Sequence, residues 1–410
     1  MSSVSDHRMN ILMLTSLFPI PNNPQKGIFV YNMLKAIKEK ARFVVVVPVP
    51  YLLFTHRSTG KEFRESFKEK LMDTLPNVDD IIYVDYPFLP RAFHPIFSGF
   101  LYYKLKKLFS HLVRKNSFDL LHSHFLFPEG VISAKLGKEF SIKSICTVHG
   151  SDLNIMAHRV YWKPFLSYAL SNLTGLVFVS ESLKEKFLSQ VLKDKKLKDL
   201  NLAVVPNGFA DWATPSGEPT DEHLIRRLRE QKKKIILFVG NLIKIKRPDI
   251  AVEALEYVRR KGCNAVLVIV GKGPEESKIK AKAARLNLRE GKDFILLGRI
   301  AHGRVLFWMK ESDVLVLTSD NEGMPSVILE SLSLGIPVVA TAVGGIPEVV
   351  LDGFNGFLCH RNDPREVATH IIEAISRSWD KEKLKLSVKP YAWTSLSEQL
   401  YHYYKLMIKK

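Results

Sequence analysis

The sequence predicts an α/β protein with two doubly wound, Rossmann-like domains that face each other across a cleft. Short β-rich runs alternate with helical patterns along most of the chain, which is typical of parallel sheets covered by helices. The alternation lapses once, in a polar stretch after residue 210, and then restarts. The 410 residues are also more than one hydrophobic core usually organises, so we expect two domains.

Seven apolar runs precede the lapse, and each is a predicted strand because it is short, rich in β-branched residues and followed by a helical pattern. They lie at 9–14, 43–47, 81–84, 120–122, 145–148, 176–179 and 202–205. Together they predict an N-terminal domain over 1–210.

A proline-containing polar stretch then predicts a linker over 211–230, with 211–223 as a candidate hinge. Six further β-rich runs follow, at 235–239, 265–270, 294–297, 314–317, 338–340 and 356–359. They predict a C-terminal domain over 231–388, and apolar residues at helical spacing predict a last helical segment over 389–410. Several of these strands end in small residues, and ligands of open α/β sheets bind beyond such carboxyl ends.

Composition narrows the partners and the compartment. Lysine and arginine exceed aspartate and glutamate by 18 charges, which predicts attraction to polyanions such as nucleic acid, anionic lipid or phosphorylated substrates. No nucleic-acid-binding motif accompanies this charge, so we expect no nucleic-acid partner. The cysteines Cys146, Cys263 and Cys359 stand far apart, which favours a reducing compartment over a disulfide framework or a zinc site. Since the polar N-terminus also argues against a signal peptide, the expected location is cytoplasmic.

The most informative stretch runs from Ser319 to Glu330, after one apolar run and into another with helical spacing. Pro325 suits the first turn of a helix there. Backbone N–H groups and the positive dipole end at such a helix start suit a diphosphate or sugar hydroxyls. Glu322 in the loop and Glu330 in the helix can accept hydrogen bonds from a sugar and a ribose. Glutamates are more often plain surface charges, so the surrounding sequence has to decide between the two interpretations.

The segment EGMPSVILE, with seven residues between its glutamates, resembles the E-x7-E signature of glycosyltransferase family 4, which has the GT-B fold. Further motifs of that family occur in order along nearly the whole chain: KGIFV at 26–30, TVHGSD at 147–152, VPNG at 205–208, FVGNLIKIKRPD at 238–249, IVGKGP at 269–274 and GGIPEVV at 344–350. The resemblance implies a GT-B architecture whose C-terminal helix crosses back to the first domain.

The resemblance also assigns roles to single residues. Glu322 matches the glutamate that contacts the transferred sugar, Glu330 the one that holds the ribose, and Lys246 the basic residue that neutralises the departing diphosphate. His149 would lie beside the transferred sugar, so the predicted catalytic residues are His149, Lys246 and Glu322. The predicted donor-binding residues are Gly27, Gly240, Asn241, Lys246, Glu322, Gly323, Met324, Pro325, Ser326, Val327 and Glu330.

Two positions depart from the family pattern. Asn241 stands where the family commonly has an arginine on the diphosphate, and Arg247 stands where a glycine usually follows the lysine. Two explanations remain open. Lys246, together with the nearby Lys244 or Arg247, compensates for the missing charge, or activity on a charged diphosphate leaving group is weak.

His122 and His124 follow an early strand and have no carboxylate at a spacing suited to metal ligation, which favours a structural role over a metal site. His124 and Asp152 are placed on the acceptor side. No metal ligand set and no cofactor are predicted, and the nucleotide sugar is expected as a substrate.

The segment 97–115 is a basic amphipathic helix, with Phe97, Leu101, Leu105, Leu108 and Leu112 at helical spacing among lysines and arginines. Two interpretations remain open: an ordinary helix packed on the first domain, or peripheral attachment to anionic lipid at the inner face of a membrane.

The predicted function is a metal-independent, retaining glycosyltransferase of polysaccharide biosynthesis, which moves a sugar from a nucleoside diphosphate donor to a glycan, lipid-linked or small-molecule acceptor. By the resemblance, the departing phosphate accepts the proton of the acceptor hydroxyl, which accounts for the absence of an evident general base. Two alternatives are a nucleotide-sugar epimerase of similar fold and a non-catalytic polyanion-binding protein.

Overall fold

The computed structural model describes residues 8–52, 61–88, 94–150, 152–153, 162–191 and 200–409. Ser151 of the motif at 147–152 therefore lies outside the described residues. The chain divides into two compact units, of which unit 1 is Met1–Pro206 with Trp393–Lys410 and unit 2 is Asn207–Ala392.

Unit 1 contains a parallel sheet of seven strands in the order β3-β2-β1-β4-β5-β6-β7. The strands are β1 Met9–Leu14, β2 Ala41–Leu52, β3 Val78–Phe88, β4 Leu120–His124, β5 Ser144–Val148, β6 Gly175–Phe178 and β7 Asn201–Val204. Each predicted run of the first series overlaps one of them. The central strands read as near-continuous apolar runs because helices cover both faces of such a sheet.

Six helices of unit 1 alternate with these strands. They are α1 Ile28–Ala36, α2 Lys61–Met72, α3 His94–Lys115, α4 Val131–Phe140, α5 Lys163–Asn172 and α6 Glu181–Gln190. Helices α3 and α4 pack on β1, β2 and β4 through one buried apolar cluster that includes Leu101, Leu105 and Leu112. The helix thus packs on the first domain, which is one of the two interpretations that the sequence left open.

Unit 2 contains a parallel sheet of six strands in the order β10-β9-β8-β11-β12-β13. The strands are β8 Lys234–Val239, β9 Ala265–Val270, β10 Phe294–Gly298, β11 Val314–Leu317, β12 Val338–Thr341 and β13 Gly356–Cys359. The helices are α7 Pro219–Glu230, α8 Pro248–Arg260, α9 Glu276–Arg285, α10 His302–Glu311, α11 Ser326–Ser333, α12 Pro364–Ser376 and α13 Lys381–Val388. The predicted fold class, two Rossmann-like units each with a parallel sheet, is confirmed.

The segment predicted as a linker differs from its prediction, because α7 occupies residues 219–230. Glu218 and Asp221 form a capping box at the start of this helix. The carboxylate of Asp221 accepts two hydrogen bonds of 2.8 Å from the Arg304 guanidinium and one of 3.0 Å from Trp308 Nε1. The helix is anchored to α10 by this ion pair and also buries Ile225 and Leu228, although most of its residues are polar or charged. Residues 219–223 of the candidate hinge belong to this anchored helix.

The final helix, α14 Trp393–Lys409, belongs to unit 1, although the residues before it belong to unit 2. Its buried face includes Trp393, Leu400, Tyr404 and Met407. The predicted segment 389–410 thus contains a helix that begins at Trp393 and packs on the first unit. Among the described residues, no helix combines the length and the apolar character that crossing a bilayer requires.

Candidate functional site

In unit 2 the predicted donor residues lie at the topological switch point, where the chain leaves β8 toward β9 on one side and β11 lies on the other. The loops after β8 and β11 are joined there by hydrogen bonds to backbone carbonyls. The Asp320 N–H donates to the Ile245 carbonyl at 2.8 Å, and the Thr318 hydroxyl donates to the Arg247 carbonyl at 2.7 Å. This is the position at which open α/β sheets bind ligands.

Two predicted catalytic residues are in direct contact at this point. Lys246 Nζ lies 2.6 Å from Glu322 Oε1, and the Ser319 hydroxyl donates to the same oxygen at 2.6 Å. The side chains of Lys246 and Glu322 are only 22% and 9% exposed, so the ion pair is largely shielded from water. A cation and a carboxylate are therefore held together just before the start of α11.

The glycine pair at 344–345 packs against the backbone of the Glu322 loop. A Cβ atom on Gly344 would lie 1.8 Å from the Glu322 carbonyl oxygen, and Gly344 has a φ of +56°. The Gly345 N–H donates to the Gly323 carbonyl at 3.0 Å. These glycines belong to the family motif GGIPEVV, for which the sequence predicted no role. The structure shows that they set the position of the Glu322 backbone.

Glu330 is buried in α11 and has a partner that the sequence did not suggest. Its carboxylate lies 3.1 Å from His302 Nε2, at the start of α10. Burial opposes the charged form of His302, but the charge and the hydrogen bond of Glu330 outweigh it and raise the pKa of His302 above its usual value. Twenty-eight residues separate the pair in sequence, so only the packing of α10 beside α11 reveals it.

Arg247 lies between two carboxylates of its own unit. Its guanidinium lies 2.9 Å from Asp249 and 3.5 Å from Asp320, so its charge is balanced by carboxylates. Asn241 and Lys244 are both exposed. The Gly240–Leu242 segment is instead held by the turn after β9, since a Cβ atom on Gly271 would lie 1.9 Å from the Gly240 carbonyl oxygen.

The remaining predicted donor residues follow Glu322 into α11. Met324 is buried at 5% exposure, Pro325 is the N-cap residue, and Ser326 and Val327 begin the helix. The sequence placed Pro325 in the first turn of the helix, whereas the observed helix begins at the next residue, Ser326.

In unit 1, Gly27 is the N-cap residue of α1 and adopts a left-handed conformation with a φ of +61°. A Cβ atom on Gly27 would lie 2.1 Å from the Leu17 carbonyl carbon. The sequence predicts Gly27 as a donor-binding residue; the described contacts show in addition that a glycine is needed there because the chain's own loop after β1 lies against it.

Three histidines form a stack at the carboxyl ends of β4 and β5. The rings of His122 and His124 are 4.6 Å apart and those of His124 and His149 are 5.1 Å apart. His122 contacts the Tyr404 hydroxyl at 2.7 Å and the Thr147 hydroxyl at 2.8 Å. His124 Nδ1 lies 2.9 Å from His149 Nε2.

All three rings are neutral at pH 7 because burial disfavours their charged forms. Burial lowers the pKa of His122 and of His149 to about 3. Burial, with the neighbouring His122 and His149, lowers the pKa of His124 well below its usual value. The structure therefore brings the predicted catalytic His149 and the predicted acceptor-side His124 together.

Asp152 fixes the backbone on either side of this stack. Its carboxylate accepts from the His149 N–H at 2.7 Å and from the Leu126 N–H at 3.1 Å. Burial raises the pKa of Asp152 to about 7, so its protonation changes near neutral pH. Its neighbour Glu129, which sequence reasoning missed, accepts from the Ser16 N–H at 3.2 Å, and burial raises its pKa as well.

A cavity of about 410 Å³ lies on unit 1 between α3, α4 and α5. Aromatic side chains form much of its wall, including Tyr102, Tyr103, Phe165 and Tyr168, and Lys135 lies at its edge over the Tyr102 ring. Beside it, Phe100 is 55% exposed and Tyr103 is 72% exposed on the outer face of α3.

Within the described ranges, no cluster of three or more histidine, cysteine, aspartate or glutamate side chains is arranged to hold a metal ion. His122 and His124 are buried at 0% and 2% exposure and bond to other side chains, as expected for structural histidines.

Two family models match the chain, one over most of the first sheet and one over the second. Residues 27–210 match the family model described as Glycosyltransferase Family 4, and residues 220–392 match the model described as Glycosyl transferases group 1. An uncharacterized glycosyltransferase of Methanocaldococcus jannaschii is 30% identical over 70% of this chain and 75% of its own length. A putative teichuronic acid biosynthesis glycosyltransferase, TuaC of Bacillus subtilis, is 26% identical over 82% of both chains.

The fold is shared with solved structures at lower identity. Anabaena HepE, whose crystal structure holds UDP and glucose, superposes with a TM-score of 0.67 at 17% identity and covers 97% of this chain and 100% of its own. These comparisons favour a glycosyltransferase over an epimerase or a non-catalytic polyanion-binding protein. The chain belongs to the glycosyltransferases, with a family 4 domain followed by a group 1 domain.

Proposed function

We propose that this glycosyltransferase moves a hexose-type sugar from a nucleoside diphosphate donor to an acceptor hydroxyl with retention of the anomeric configuration. In this proposal unit 2 binds the donor and unit 1 binds the acceptor. The observation that carries the proposal is the Lys246–Glu322 pair, which is largely buried and lies at the switch point of β8 and β11.

The Lys246–Glu322 pair suggests how the donor binds. Without the donor, the Glu322 carboxylate balances the charge of the Lys246 ammonium at 2.6 Å. A bound diphosphate competes for the Lys246 ammonium, and the start of α11 adds its positive dipole end. Glu322 is then released to accept hydrogen bonds from hydroxyls of the sugar. Positive charge that is already in place where the leaving group develops its own charge stabilises the transition state.

Retention follows if the acceptor attacks from the face that the diphosphate leaves. A departing phosphate oxygen then takes the proton of the acceptor hydroxyl, so no side chain has to act as the base. Since Lys246 and the helix start supply the positive charge, the proposed reaction uses no metal and no cofactor. We expect kcat to be unchanged after treatment with EDTA and dialysis.

The experiment that tests the proposal is a donor screen with purified protein. UDP-, GDP- and ADP-sugars are first ranked by the rise in melting temperature, since a bound donor stabilises the folded state by mass action. The best donors are then incubated with sugar and lipid-phosphate acceptors, and the anomeric configuration of the product is read by NMR. UDP-sugars are the first choice, because the related fold of HepE holds UDP and glucose.

Transfer with retention supports the proposal. An inverted product contradicts the retaining mechanism, and epimerised donor in the absence of any acceptor contradicts transfer altogether.

For the acceptor, we propose a lipid-linked or membrane-bound glycan. The cavity between α3, α4 and α5 has a volume of about 410 Å³ and a largely aromatic wall, which suits a hydrocarbon chain, and the exposed lysines Lys104, Lys107 and Lys135 suit a phosphate head group. This arrangement also favours peripheral contact of unit 1 with an anionic membrane at the cytoplasmic face.

Gly99 allows a direct test of this acceptor class. A Cβ atom there meets no heavy atom within 4 Å, and Gly99 lines the cavity. The change Gly99→Leu therefore adds apolar volume at the cavity wall through a Cβ atom that meets no clash, and it removes a glycine that costs a helix about 1 kcal/mol. We expect the variant to lose activity on long-chain lipid acceptors and to keep its activity on a water-soluble acceptor. Equal activity of the variant and the wild type on both acceptors contradicts the proposed use of the cavity.

A further inference from the structure

Arg247 adopts a backbone conformation that is unfavourable for any residue except glycine. It follows Lys246 and precedes α8, with a φ of +45° and a ψ of +49°, which is the left-handed region. There the Cβ atom of an L-residue lies too close to the following carbonyl oxygen, so glycine adopts this conformation most easily. Since the chain has an arginine here, we expect its side chain to make contacts that offset the backbone strain.

The guanidinium of Arg247 connects three segments of unit 2. Two of its nitrogens donate to the Asp249 carboxylate, in the first turn of α8, at 3.0 and 2.9 Å. The third nitrogen lies 3.5 Å from Asp320 in the loop after β11, and it also contacts the side-chain oxygen of Asn362 in the loop after β13. The Arg247 side chain is 21% exposed, so these contacts are partly shielded from water.

The loop after β11 is also the loop to which the backbone around Lys246 is attached. Two hydrogen bonds to backbone carbonyls join the segment 245–247 to it. Lys246 lies between these two attachment points, and its ammonium meets Glu322 of the same loop at 2.6 Å. The contact of Arg247 with Asp320 is a further connection between the two loops that carry the Lys246–Glu322 pair.

We propose that Arg247 is a positioning residue, which holds the loop of Lys246 against the loop of Glu322 and so fixes the Lys246 ammonium where the donor diphosphate binds. This role rests on the proposed function, because it acts through Lys246. A glycine at position 247 would adopt the backbone conformation without strain, but it would lack the contacts with Asp249 and Asp320.

The left-handed conformation allows the side chain to be removed without disturbing the backbone. Glycine is favourable at this φ, so Arg247→Gly is expected to fold. The Asp320 N–H donates to the Ile245 carbonyl at 2.8 Å, and its hydrogen exchange reports how often the two loops separate. We expect this exchange to be about 10-fold faster in the variant than in the wild type.

Two controls distinguish this local effect from a general loss of stability. The Val268 amide, in a strand with partners on both sides, is expected to exchange at the wild-type rate. Lys232→Gly also replaces a residue of positive φ, of +53°, at an exposed position after α7, and it is expected to leave Asp320 unchanged. Unchanged exchange of Asp320 in Arg247→Gly overturns the inference, and so does an equal rise at Val268.

A double-mutant cycle then tests the connection to Lys246. We expect Arg247→Gly to lower kcat/KM by about 10-fold in the wild type and to have no further effect in a Lys246→Met background, where no ammonium remains to be positioned. Arg247→Lys keeps the positive charge but cannot form the two-bonded contact with Asp249, so it is expected to recover little of the loss.

A guanidinium that binds the diphosphate directly predicts different kinetics. The losses of Arg247→Gly and Lys246→Met would then be additive, and Arg247→Lys would keep most of the activity. Either result contradicts the positioning role. If the wild type transfers no sugar from any donor, the proposed function fails, while the exchange of Asp320 still decides whether Arg247 holds the two loops together.

Discussion

At the scale of single residues, the candidate site depends on charges that are held in pairs and shielded from water. Lys246 with Glu322 and His302 with Glu330 each join a base to a carboxylate whose side chain is 9% exposed. Such groups are costly to bury alone, which is why each of them is paired. The backbone near His149 is also unusual, since Phe125 has a φ of +70°.

We predict that Lys246→Met and Glu322→Gln each lower kcat/KM by about 100- to 1,000-fold. Each change removes one charge that acts on the developing transition state and keeps the size of the side chain nearly constant. Steady-state kinetics with the best donor checks this, and Lys310→Met on the exposed surface of α10 is the control. Unchanged kinetics would place the reaction elsewhere in the molecule.

The His302–Glu330 pair predicts a pH-dependent stability of unit 2. The folded pKa of His302 is raised above 6.5, so its contribution is fully present below pH 6.5 and is lost as pH rises through the raised value. His302→Gln keeps a donor near the Nε2 position but removes the charge. We expect this variant to be less stable than the wild type at pH 6 and to approach it in alkaline solution.

Urea unfolding of the two proteins over pH 5.5 to 9, roughly centred on the usual histidine pKa, measures this difference. His360→Gln is the control, because the side chain of His360 is 91% exposed and its pair with Glu366 is weakened by solvent. A difference between wild type and His302→Gln that does not vary with pH contradicts the assignment.

At the scale of elements, loops carry most of the predicted residues, while Ser326, Val327 and Glu330 lie in α11 and His124 in β4. Neighbouring backbone determines where the loops lie. The Glu322 loop lies against Gly344, and the Gly240–Leu242 segment lies against Gly271. In each case a Cβ atom on the glycine would occupy the space of a carbonyl oxygen. The sheets place the loops approximately, and these close backbone contacts determine the exact position of each loop.

We predict that Gly344→Ala lowers both stability and activity. The new methyl group displaces the Glu322 carbonyl and with it the carboxylate that meets Lys246. Gly353→Ala is a matched control, because Gly353 also has a positive φ, of +71°, but a Cβ atom there meets nothing within 4 Å. The control is expected to lose about 1–2 kcal/mol of stability from backbone strain and no activity.

Urea unfolding and kcat/KM of both variants check this prediction. If the two glycine variants lose activity equally, the contact between Gly344 and Glu322 does not position the site.

At the scale of the whole molecule, the chain builds unit 1, then unit 2, and returns to unit 1 with α14. Tyr403 of this helix donates to the Asn201 carbonyl at 3.0 Å, and a Cβ atom on Gly175 would lie 2.1 Å from the Tyr403 hydroxyl. Tyr404 is fully buried and meets His122 at 2.7 Å. The last helix is thus part of the packing of unit 1 and reaches the histidine stack.

We predict that Tyr404→Phe lowers the stability of unit 1 by about 1–3 kcal/mol, because His122 Nδ1 then stays buried without its partner. Hydrogen exchange of the β4 amides measures the effect locally, which avoids the assumption that the two units unfold together. Tyr401→Phe is the control, since its ring keeps the contacts with Lys40 and Lys405 when the hydroxyl is removed. Equal exchange in both variants contradicts the prediction.

The sequence by itself determined the two sheets and the order of their strands along the chain. Buried parallel strands need continuous apolar runs, and runs such as 265–270 are visible without a structure. Resemblance to family motifs likewise singled out Glu322, Glu330 and Lys246, because these residues belong to the short local segments EGMPSVILE and FVGNLIKIK.

Tertiary structure alone decided the partners of these residues. The contacts of His302 with Glu330, of His124 with His149 and of Tyr404 with His122 span 28, 25 and 282 residues, and no local pattern encodes them. Helix α7 was also missed, because its apolar residues Ile225 and Leu228 are outnumbered by charged side chains, and the pairing of Asp221 with Arg304 that anchors it is visible only in the fold. Local spacing fixes which element forms, whereas the pairing of polar side chains depends on which elements the fold packs side by side.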